Sequence, residues 1–162
     1  MVVTVLHCAM KEDMMPRKKE SKPARTKEFG SMSVGQVMEK KVQCASLTTK
    51  ADVIASMMVE GFGAVPVITG KRKLAGIVSE HDLLAALDDG HSLRALTAGD
   101  IMTGHPYSIP SETTLATLVH VLRASDLVRV PVVDAKDKLI GIVARRDVLR
   151  TYLASGVSRN TK

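Results

Sequence analysis

One pattern occurs twice in this chain, and it constrains the fold more than any other feature. A Val-Pro-Val segment at residues 65–68 is followed by a charged turn and by a Gly-Ile-Val segment at residues 76–83. The same order returns 65 positions later, at residues 130–133 and 141–148. A repeat of this length is a whole folding unit. Two copies of one unit can face each other and build paired clefts, so we expect two related sites.

Size and composition indicate the kind of core. With 162 residues the chain is long enough for one domain, or for two small domains that share an interface. Apolar residues make up 45% of the sequence and aromatic residues only 2%, so we predict a core of aliphatic and methionine side chains. Cys8 and Cys44 are the two cysteines and cannot form a disulfide framework, which favours a reducing, cytoplasmic location.

The charge is unevenly distributed. The net charge is +6, and residues 1–30 carry seven Lys and Arg against four Asp and Glu. The low hydrophobicity of this stretch predicts a basic, flexible N-terminal tail, and we expect residues 155–162 to form a C-terminal tail. One interpretation of the basic tail is solubility, and a sharper one is weak attraction to nucleic acid or another polyanion. The apolar start of the chain is too short for a membrane span, so we expect no membrane association.

Each copy predicts the same order of elements, which is helix, strand, turn, strand and helix. Apolar residues recur at helical spacing over residues 50–60 and again over residues 114–124. One unit alone has a small sheet with an exposed face, which a second unit could cover. We therefore predict an α/β (α+β) fold with domains at residues 33–90 and 96–154.

The two units share further landmarks. The residue pairs before the first strands are Val37-Met38 and Ile101-Met102. The Val-Pro-Val strands with their preceding residues are Ala64-Val65-Pro66-Val67 and Arg129-Val130-Pro131-Val132. The aspartates that end the last segments are Asp82 and Asp147. This pattern resembles a pair of cystathionine-β-synthase (CBS) domains, the arrangement called a Bateman module. The resemblance covers residues 33–153, and it implies stand-alone tandem CBS domains packed with pseudo-two-fold symmetry.

The segment Ser79-Glu80-His81-Asp82 stands at a predicted strand-to-helix junction. Ser-x-x-Asp at this place is a capping box that satisfies the free amides of the helix start. The same place suits a ligand, because helix amides attract phosphate and a carboxylate accepts hydrogen bonds from ribose hydroxyls. The resemblance to CBS pairs implies that Asp82 holds ribose and that Ser79 contacts a phosphate.

The second copy differs at this junction. Ala144 replaces the hydroxyl residue, whereas Asp147 is retained. Arg145 and Arg146 follow, and a guanidinium binds phosphate in bidentate fashion. The alternative is that both arginines are exposed residues on the first turn of a helix. We expect ribose recognition at both aspartates and different phosphate preferences at the two sites.

The resemblance also implies an apolar adenine slot in each unit, with simple core packing as the alternative for each residue. The predicted slot residues are Cys44, Ala64, Val65 and Pro66 in the first unit and Ser108, Arg129, Val130 and Pro131 in the second, with the neighbouring Gln43 and Tyr107. Arg129 fits core packing least well, because a charged residue beside a buried strand needs a partner. An anionic ligand or Asp126 could supply that partner.

The sequence has no recognisable motif for catalysis or for metal binding. We therefore predict a non-enzymatic protein that needs no cofactor. The resemblance to CBS pairs implies a regulatory module that forms a homodimer and binds AMP, ADP, ATP or another adenosine compound such as S-adenosylmethionine. One alternative is a ligand-independent module that binds an effector protein. Another is a nucleic-acid-associated protein that uses its basic tail, which the scarcity of stacking aromatic residues disfavours.

Overall fold

The computed structural model describes residues 24–156, which fold into short strands and helices. The helices are α1 (Ala24–Ser31), α2 (Ala51–Val59), α3 (Glu80–Asp88), α4 (Ala98–Ile101), α5 (Leu115–Ala124) and α6 (Arg145–Gly156). The strands are β1 (Ala45–Ser46), β2 (Ala64–Thr69), β3 (Lys73–Ser79), β4 (Thr103–Gly104), β5 (Ile109–Pro110), β6 (Arg129–Val133) and β7 (Leu139–Ala144). Within this described range, no helix is both long enough and apolar enough to cross a membrane.

Each repeat folds into a helix, an antiparallel hairpin and a second helix, as the sequence predicts. One sheet has the strand order β1-β2-β3-β4 and the other has the order β5-β6-β7. β1 runs parallel to β2, and β5 runs parallel to β6. Both hairpins have a register irregularity at equivalent positions, after Val67 and after Val132. The predicted mixed fold of two related units is therefore confirmed.

The segments that lead into the two units cross to the opposite unit. We call residues 33–44 and 97–108 the lead-in segments. β4 belongs to the second lead-in segment and pairs antiparallel with β3 of the first hairpin. In the first lead-in segment, Glu39 forms a β-bridge with Ile142 of the second hairpin, with N–H···O distances of 2.8 and 3.0 Å. Each sheet is therefore extended by the lead-in segment of the other unit.

The hydrophobic cores follow this crossing. The core of the first hairpin contains Ala98, and Met102 packs against it. The core of the second hairpin contains Val34, and Phe29 and Met38 pack against it. Each core thus holds side chains from both repeats, and the boundaries drawn from the sequence repeat do not separate two independent cores.

A glycine in each hairpin makes room for the methionine of the crossing segment. A Cβ atom at Gly76 would collide with the Met102 side chain and would lie 3.0 Å from the Thr103 carbonyl oxygen. A Cβ atom at Gly141 would collide with Met38 in the same way. Glycine is needed at both positions because another segment approaches the strand closely.

The predicted tail over residues 1–30 is wrong at its end, because Ala24–Ser31 is a helix. The Phe29 ring meets the Tyr152 ring of α6 edge to face, with centroids 5.4 Å apart and planes at 85°. Phe29 also packs against the core of the second hairpin, so this helix joins the folded part of the chain. α6 also extends to Gly156, past the predicted start of the C-terminal tail. The rest of both predicted tails lies outside the described residues.

We expect Gly76→Ala to lower the free energy of unfolding by about 1–3 kcal/mol, because the new Cβ overpacks the crossing segment. Gly70→Ala in the same hairpin is the matched control, since a Cβ there meets nothing within 4 Å. Its effect should stay within about 0.5 kcal/mol. Urea denaturation followed by circular dichroism measures both values. Equal effects of the two substitutions would contradict a close contact at Gly76.

Candidate functional site

Two clefts lie side by side at the end of the hairpins where β2 and β6 begin. Their volumes are about 390 and 400 Å³. The first contains Asp82 and the second contains Asp147, and we name them the Asp82 cleft and the Asp147 cleft. Ala64 and Arg129, which are equivalent in the repeat, line both clefts. These two residues therefore form a shared wall where the two units meet.

Each cleft is built from both units. The Asp82 cleft is lined by Tyr107 and by residues 127–129, all from the second unit. The Asp147 cleft is lined by Gln43 from the first unit. Gln43 and Ala64 of the first predicted slot line the Asp147 cleft together, and Tyr107, Arg129 and Pro131 of the second line the Asp82 cleft together. Each predicted slot therefore lies beside the aspartate of the other unit, because the lead-in segments cross.

Asp82 closes a capping box at the start of α3. Its Oδ2 accepts hydrogen bonds from the Ser79 N–H and the Ser79 hydroxyl, both at 2.7 Å, and Ser79 Oγ accepts one from the Asp82 N–H at 3.3 Å. These bonds hold the carboxylate at the edge of the cleft. Oδ1 accepts no hydrogen bond from the residues that the structure describes. Capping and ligand binding are compatible here, because an ionised carboxylate has about four acceptor positions.

Asp147 has half of this arrangement at the start of α6. The Ala144 N–H donates to Asp147 Oδ2 at 2.9 Å, but Ala144 has no hydroxyl to complete the box. Asp147 Oδ1 lies 3.6 Å from Arg150 Nη1, and the Asp147 side chain is 17% exposed. The carboxylate is thus held by the helix start and partly balanced by a cation one turn further along.

Arg145 lies outside the Asp147 cleft and binds the end of α5 instead. Its Nε donates to the Leu127 carbonyl oxygen at 2.6 Å, and its Nη2 donates to the Leu122 carbonyl oxygen at 3.3 Å and to Asp126 Oδ1 at 2.6 Å. The equivalent residue of the first repeat, Glu80, does line its cleft, so these hydrogen bonds, and not its place on the helix, direct Arg145 away. The structure therefore gives Arg145 a different place from the predicted phosphate contact.

Arg146 lines the Asp147 cleft, and the two clefts differ in charge. The ionisable residues of the Asp147 cleft are four cations and three acids: Lys41, Arg129, Arg146, Arg150, Glu39, Glu60 and Asp147. Those of the Asp82 cleft are one cation, three acids and a histidine: Arg129, Glu80, Asp82, Asp126 and His81. With a neutral histidine, the formal charges are +1 for the Asp147 cleft and −2 for the Asp82 cleft.

The Arg129 guanidinium lies against the backbone of Gly63, where a Cβ atom would collide with its nitrogens. Asp126, one of its two predicted partners, is paired with Arg145 instead. Among residues 24–156, Arg129 forms no ion pair. Its charge is therefore free to act on an anion in either cleft.

The family model of the CBS domain matches the chain twice, over residues 34–89 and 98–154. The chain belongs to the CBS domain family. The two matches coincide with the two repeats, so the predicted tandem pair of CBS domains is confirmed.

Three known proteins show this similarity. Protein MK0525 of Methanopyrus kandleri is 32% identical over 136 residues, which cover 82% of this chain and 69% of that protein. The crystal structure of CBSX2 from Arabidopsis thaliana in complex with AMP is 32% identical, has a TM-score of 0.68 and covers 75% of this chain and 96% of that one. The CBS domain pair of MJ0100, in complex with 5′-methylthioadenosine and S-adenosyl-L-methionine, is 21% identical, with a TM-score of 0.69 and coverage of 76% and 97%.

The similarity covers only part of the length of several longer proteins. The chain spans 69%, 36% and 65% of the length of three curated relatives. At 21% identity, the likeness to the MJ0100 pair shows the fold alone. The relatives therefore establish a CBS pair, and the activities of the whole proteins do not transfer to this chain.

The predicted adenine-slot residues of the CBS pair separate into three groups. Those that line a cleft are Ala64, Arg129 and Pro131. Those that lie in the core, each less than 2% exposed, are Val65, Pro66 and Val130. Those that line neither cleft are Cys44 and Ser108. Coverage of both faces of the Val-Pro-Val strands explains the second group, because consecutive residues of these strands are then buried.

Cys44 faces away from both clefts of the CBS pair. Its Sγ donates to the Val42 carbonyl oxygen at 3.4 Å, and Arg72 Nη2 donates to Sγ at 3.9 Å. Burial raises the pKa of the Cys44 thiol, and the neighbouring Arg72 lowers it by a smaller amount. The structure therefore separates Cys44 from the ligand sites that the sequence predicts.

Phe62 is a cleft residue that the sequence did not reveal. It lines the Asp147 cleft, and its equivalent in the second repeat is Leu127 in the Asp82 cleft. Tyr107 lines the Asp82 cleft, and its equivalent in the first repeat is Gln43 in the Asp147 cleft. Each cleft of the CBS pair thus has one aromatic residue at one of these two positions. The sequence signal that could have indicated these positions is the scarcity of aromatic residues, because the chain has only two Phe and two Tyr.

We expect Arg145→Ala to lower the free energy of unfolding by about 1–3 kcal/mol, because it leaves the carbonyl groups at the end of α5 without their charged donor. Arg146→Ala, which removes the neighbouring cation, should change it by no more than about 0.5 kcal/mol. Urea denaturation of the CBS pair measures both. Equal stability of the two variants would contradict the structural role of Arg145.

Proposed function

We propose that this CBS pair is a regulatory module that binds an adenosine-containing ligand in the two clefts. One combination of features carries the proposal. Each cleft joins a carboxylate at a helix start, one aromatic ring and the backbone of a crossing lead-in segment. CBSX2, which is 32% identical over 75% of this chain, has a crystal structure in complex with AMP, and this supports the same class of ligand here.

In this proposal the carboxylates bind ribose and the aromatic rings contact adenine. Asp82 Oδ1 has no protein donor among the described residues, and the two hydroxyls of a ribose are suitable donors. The Arg150 contact to Asp147 is long, at 3.6 Å, so a ribose hydroxyl can also approach this carboxylate. Tyr107 and Phe62 each offer one face or edge for a purine ring.

The charge difference between the clefts supports different ligands in them. We propose that the Asp147 cleft takes the phosphorylated nucleotide, because it gathers Arg129, Arg146 and Lys41 around one open space. The acidic Asp82 cleft disfavours phosphate and suits an adenosine whose 5′ group is neutral or positive. The MJ0100 pair offers a parallel, since its structure contains 5′-methylthioadenosine and S-adenosyl-L-methionine.

The shared wall supports a regulatory mechanism. Ala64 and Arg129 line both clefts, so a ligand in one cleft contacts residues that also border the other. A ligand that binds one relative orientation of the repeats more tightly shifts the population toward that orientation. The affinities of the two clefts are then coupled to the same extent in both directions.

We propose a non-enzymatic role because the hydroxyl and carboxylate that do meet in the clefts, those of Ser79 and Asp82, serve as the cap of α3. Among residues 24–156, no cluster of His, Cys, Asp or Glu is placed to hold a metal ion. The same proposal places the protein in the cytoplasm, where a free thiol such as Cys44 stays reduced.

Isothermal titration calorimetry with AMP and with 5′-methylthioadenosine tests the ligand assignment. We expect Arg146→Ala to weaken AMP binding by about tenfold or more, because it removes a charged donor to phosphate. Binding of 5′-methylthioadenosine should stay unchanged. His81→Ala is the matched control, since His81 is the equivalent residue of the Asp82 cleft, and it should leave the AMP affinity unaltered.

Two results would contradict this function. One is the absence of binding heat with any adenosine compound, and the other is unchanged affinity when Asp82 and Asp147 are both replaced by Ala. Capture of an effector protein without any nucleotide would then favour the interaction module. Nucleic-acid binding with a steep salt dependence would favour the nucleic-acid alternative.

We propose that the CBS pair forms a homodimer through its helices. Leu84 of α3 is 64% exposed, and its equivalent in the second repeat, Leu149 of α6, is 63% exposed. Val53 of α2 and Val119 of α5 are also exposed, and these helices pack against α3 and α6 respectively. Such apolar helix faces form larger exposed patches than isolated apolar residues do, and patches of this kind mark interaction surfaces. In a symmetric dimer, the same two faces of a second copy can cover them.

Sedimentation velocity tests the homodimer. We expect the double variant Leu84→Glu with Leu149→Glu to shift the protein from dimer to monomer, because charges on both faces oppose burial. Leu47→Glu is the control, since Leu47 is 39% exposed and lies outside the four helices of these faces. A wild-type protein that stays monomeric at all concentrations, or a dimer that survives the double variant, would contradict the proposal.

A further inference from the structure

The tips of the two hairpins meet at the end of the strands opposite the two clefts. Lys73 and Lys138, which are equivalent in the repeat, form a β-bridge. The Leu74 N–H donates to the Asp137 carbonyl oxygen at 3.1 Å. These backbone contacts join the two tips into one continuous surface, which we call the hairpin-tip patch.

The hairpin-tip patch is strongly basic. The first tip carries three consecutive basic residues at 71–73, the second carries Lys136 and Lys138, and the first lead-in segment adds Lys40 and Lys41. None of these seven residues forms an ion pair with another residue between 24 and 156. Such a group of like charges without ion pairs attracts anions.

The acidic residues within the patch are bound to backbone groups. Asp134 Oδ1 accepts hydrogen bonds from the N–H groups of Lys136 at 2.8 Å and Lys138 at 2.9 Å. Glu39 Oε1 accepts one from the Lys41 N–H at 2.7 Å. With Asp137 these carboxylates reduce the formal charge of the patch from +7 to +4. The Asp134 and Glu39 carboxylates thus stabilise their local turns, and the patch keeps a net positive charge.

Four of the cations surround an open hollow of about 500 Å³, namely Lys40, Lys41, Arg72 and Lys138. The Arg72 Nε donates to the Leu139 carbonyl oxygen at 3.3 Å, which fixes the direction of its guanidinium. A fixed guanidinium next to mobile ammonium groups suits phosphate oxygens, because it presents planar donors while the lysines adjust.

The backbone of the first tip is unusual for its sequence. Lys71 and Arg72 both have left-handed conformations, with φ values of 60° and 62°. Glycine or asparagine fits such positions with less strain. Positive φ values at neighbouring positions are typical of tight hairpin turns, so the turn geometry accounts for this conformation and holds both cations at the tip.

The surroundings of the patch decide the class of ligand. The four aromatic residues of the chain, Phe29, Phe62, Tyr107 and Tyr152, lie in or near the other cavities. The patch therefore lacks the stacking side chains that single-stranded nucleic acid requires. We propose that the hairpin-tip patch binds a compact anion with two or more phosphate groups, such as inorganic tripolyphosphate.

This hollow is distinct from the proposed adenosine clefts, although it shares Lys41 and Val42 with the Asp147 cleft. Its ligand needs no purine or ribose, and it lies at the opposite end of the strands from Asp82 and Asp147. Lys41 lines both the hollow and the Asp147 cleft, so it is unsuitable for a selective test. Lys40 and Lys138 line only the hollow.

Calorimetry of the full chain with tripolyphosphate at low salt is the test. We expect binding by the wild type, and an affinity lower by about tenfold or more in the double variant Lys40→Ala with Lys138→Ala. The control is Arg94→Ala with Arg123→Ala, which removes the same charge from two residues that do not line the hollow and should leave the affinity unchanged. The Lys40/Lys138 variant should bind AMP as the wild type does, and Arg146→Ala should keep its tripolyphosphate affinity.

Three outcomes would overturn the proposal. The first is no binding of tripolyphosphate, and the second is an equal loss in the two double variants, which would mean diffuse attraction to net charge. The third is binding of a short single-stranded oligonucleotide more tightly than tripolyphosphate, which would make the patch a nucleic-acid surface. None of these outcomes bears on AMP binding, so failure here and failure of the adenosine clefts are distinguishable.

Discussion

The pairing of each lead-in segment with the hairpin of the other unit is the interaction on which the rest of the structure depends. Glu39 and Ile142 exchange two backbone hydrogen bonds, and β4 pairs with β3 in the equivalent place. This pairing carries apolar side chains of each lead-in segment into the opposite core. It also places Gln43 and Tyr107 in the clefts that contain the aspartate of the other unit. The composition of the cores and that of the clefts therefore both result from this pairing.

A nearly symmetric backbone supports two chemically different clefts. The helix starts place Asp82 and Asp147 alike, and the surrounding positions then differ in charge and in aromatic content. His81 in one cleft corresponds to Arg146 in the other. The fixed geometry preserves the carboxylate at the helix start in both copies, while substitutions around it set the charge that each cleft presents.

The sequence was sufficient for features that depend on local chemistry. Strand positions, the Ser79/Asp82 capping box and the incomplete box at Ala144 follow from spacing and residue type, and the structure contains them. The crossing of the lead-in segments was not predictable, because periodicity shows which face is apolar and does not show which core receives it. The place of Arg145 has the same origin, since only the packing of α5 against α6 decides where its guanidinium binds.

The scarcity of aromatic residues makes the two halves of the protein optically distinct. The chain has no tryptophan, so its near-ultraviolet emission comes from its two tyrosines. Tyr107 stands in the Asp82 cleft, whereas Tyr152 lies on α6 against Phe29. A purine that enters the Asp82 cleft meets a native fluorophore, while the aromatic residue of the Asp147 cleft is a phenylalanine, which emits weakly. Tyrosine fluorescence of the unlabelled protein can therefore report on the Asp82 cleft, whereas the Asp147 cleft gives only the weak emission of a phenylalanine.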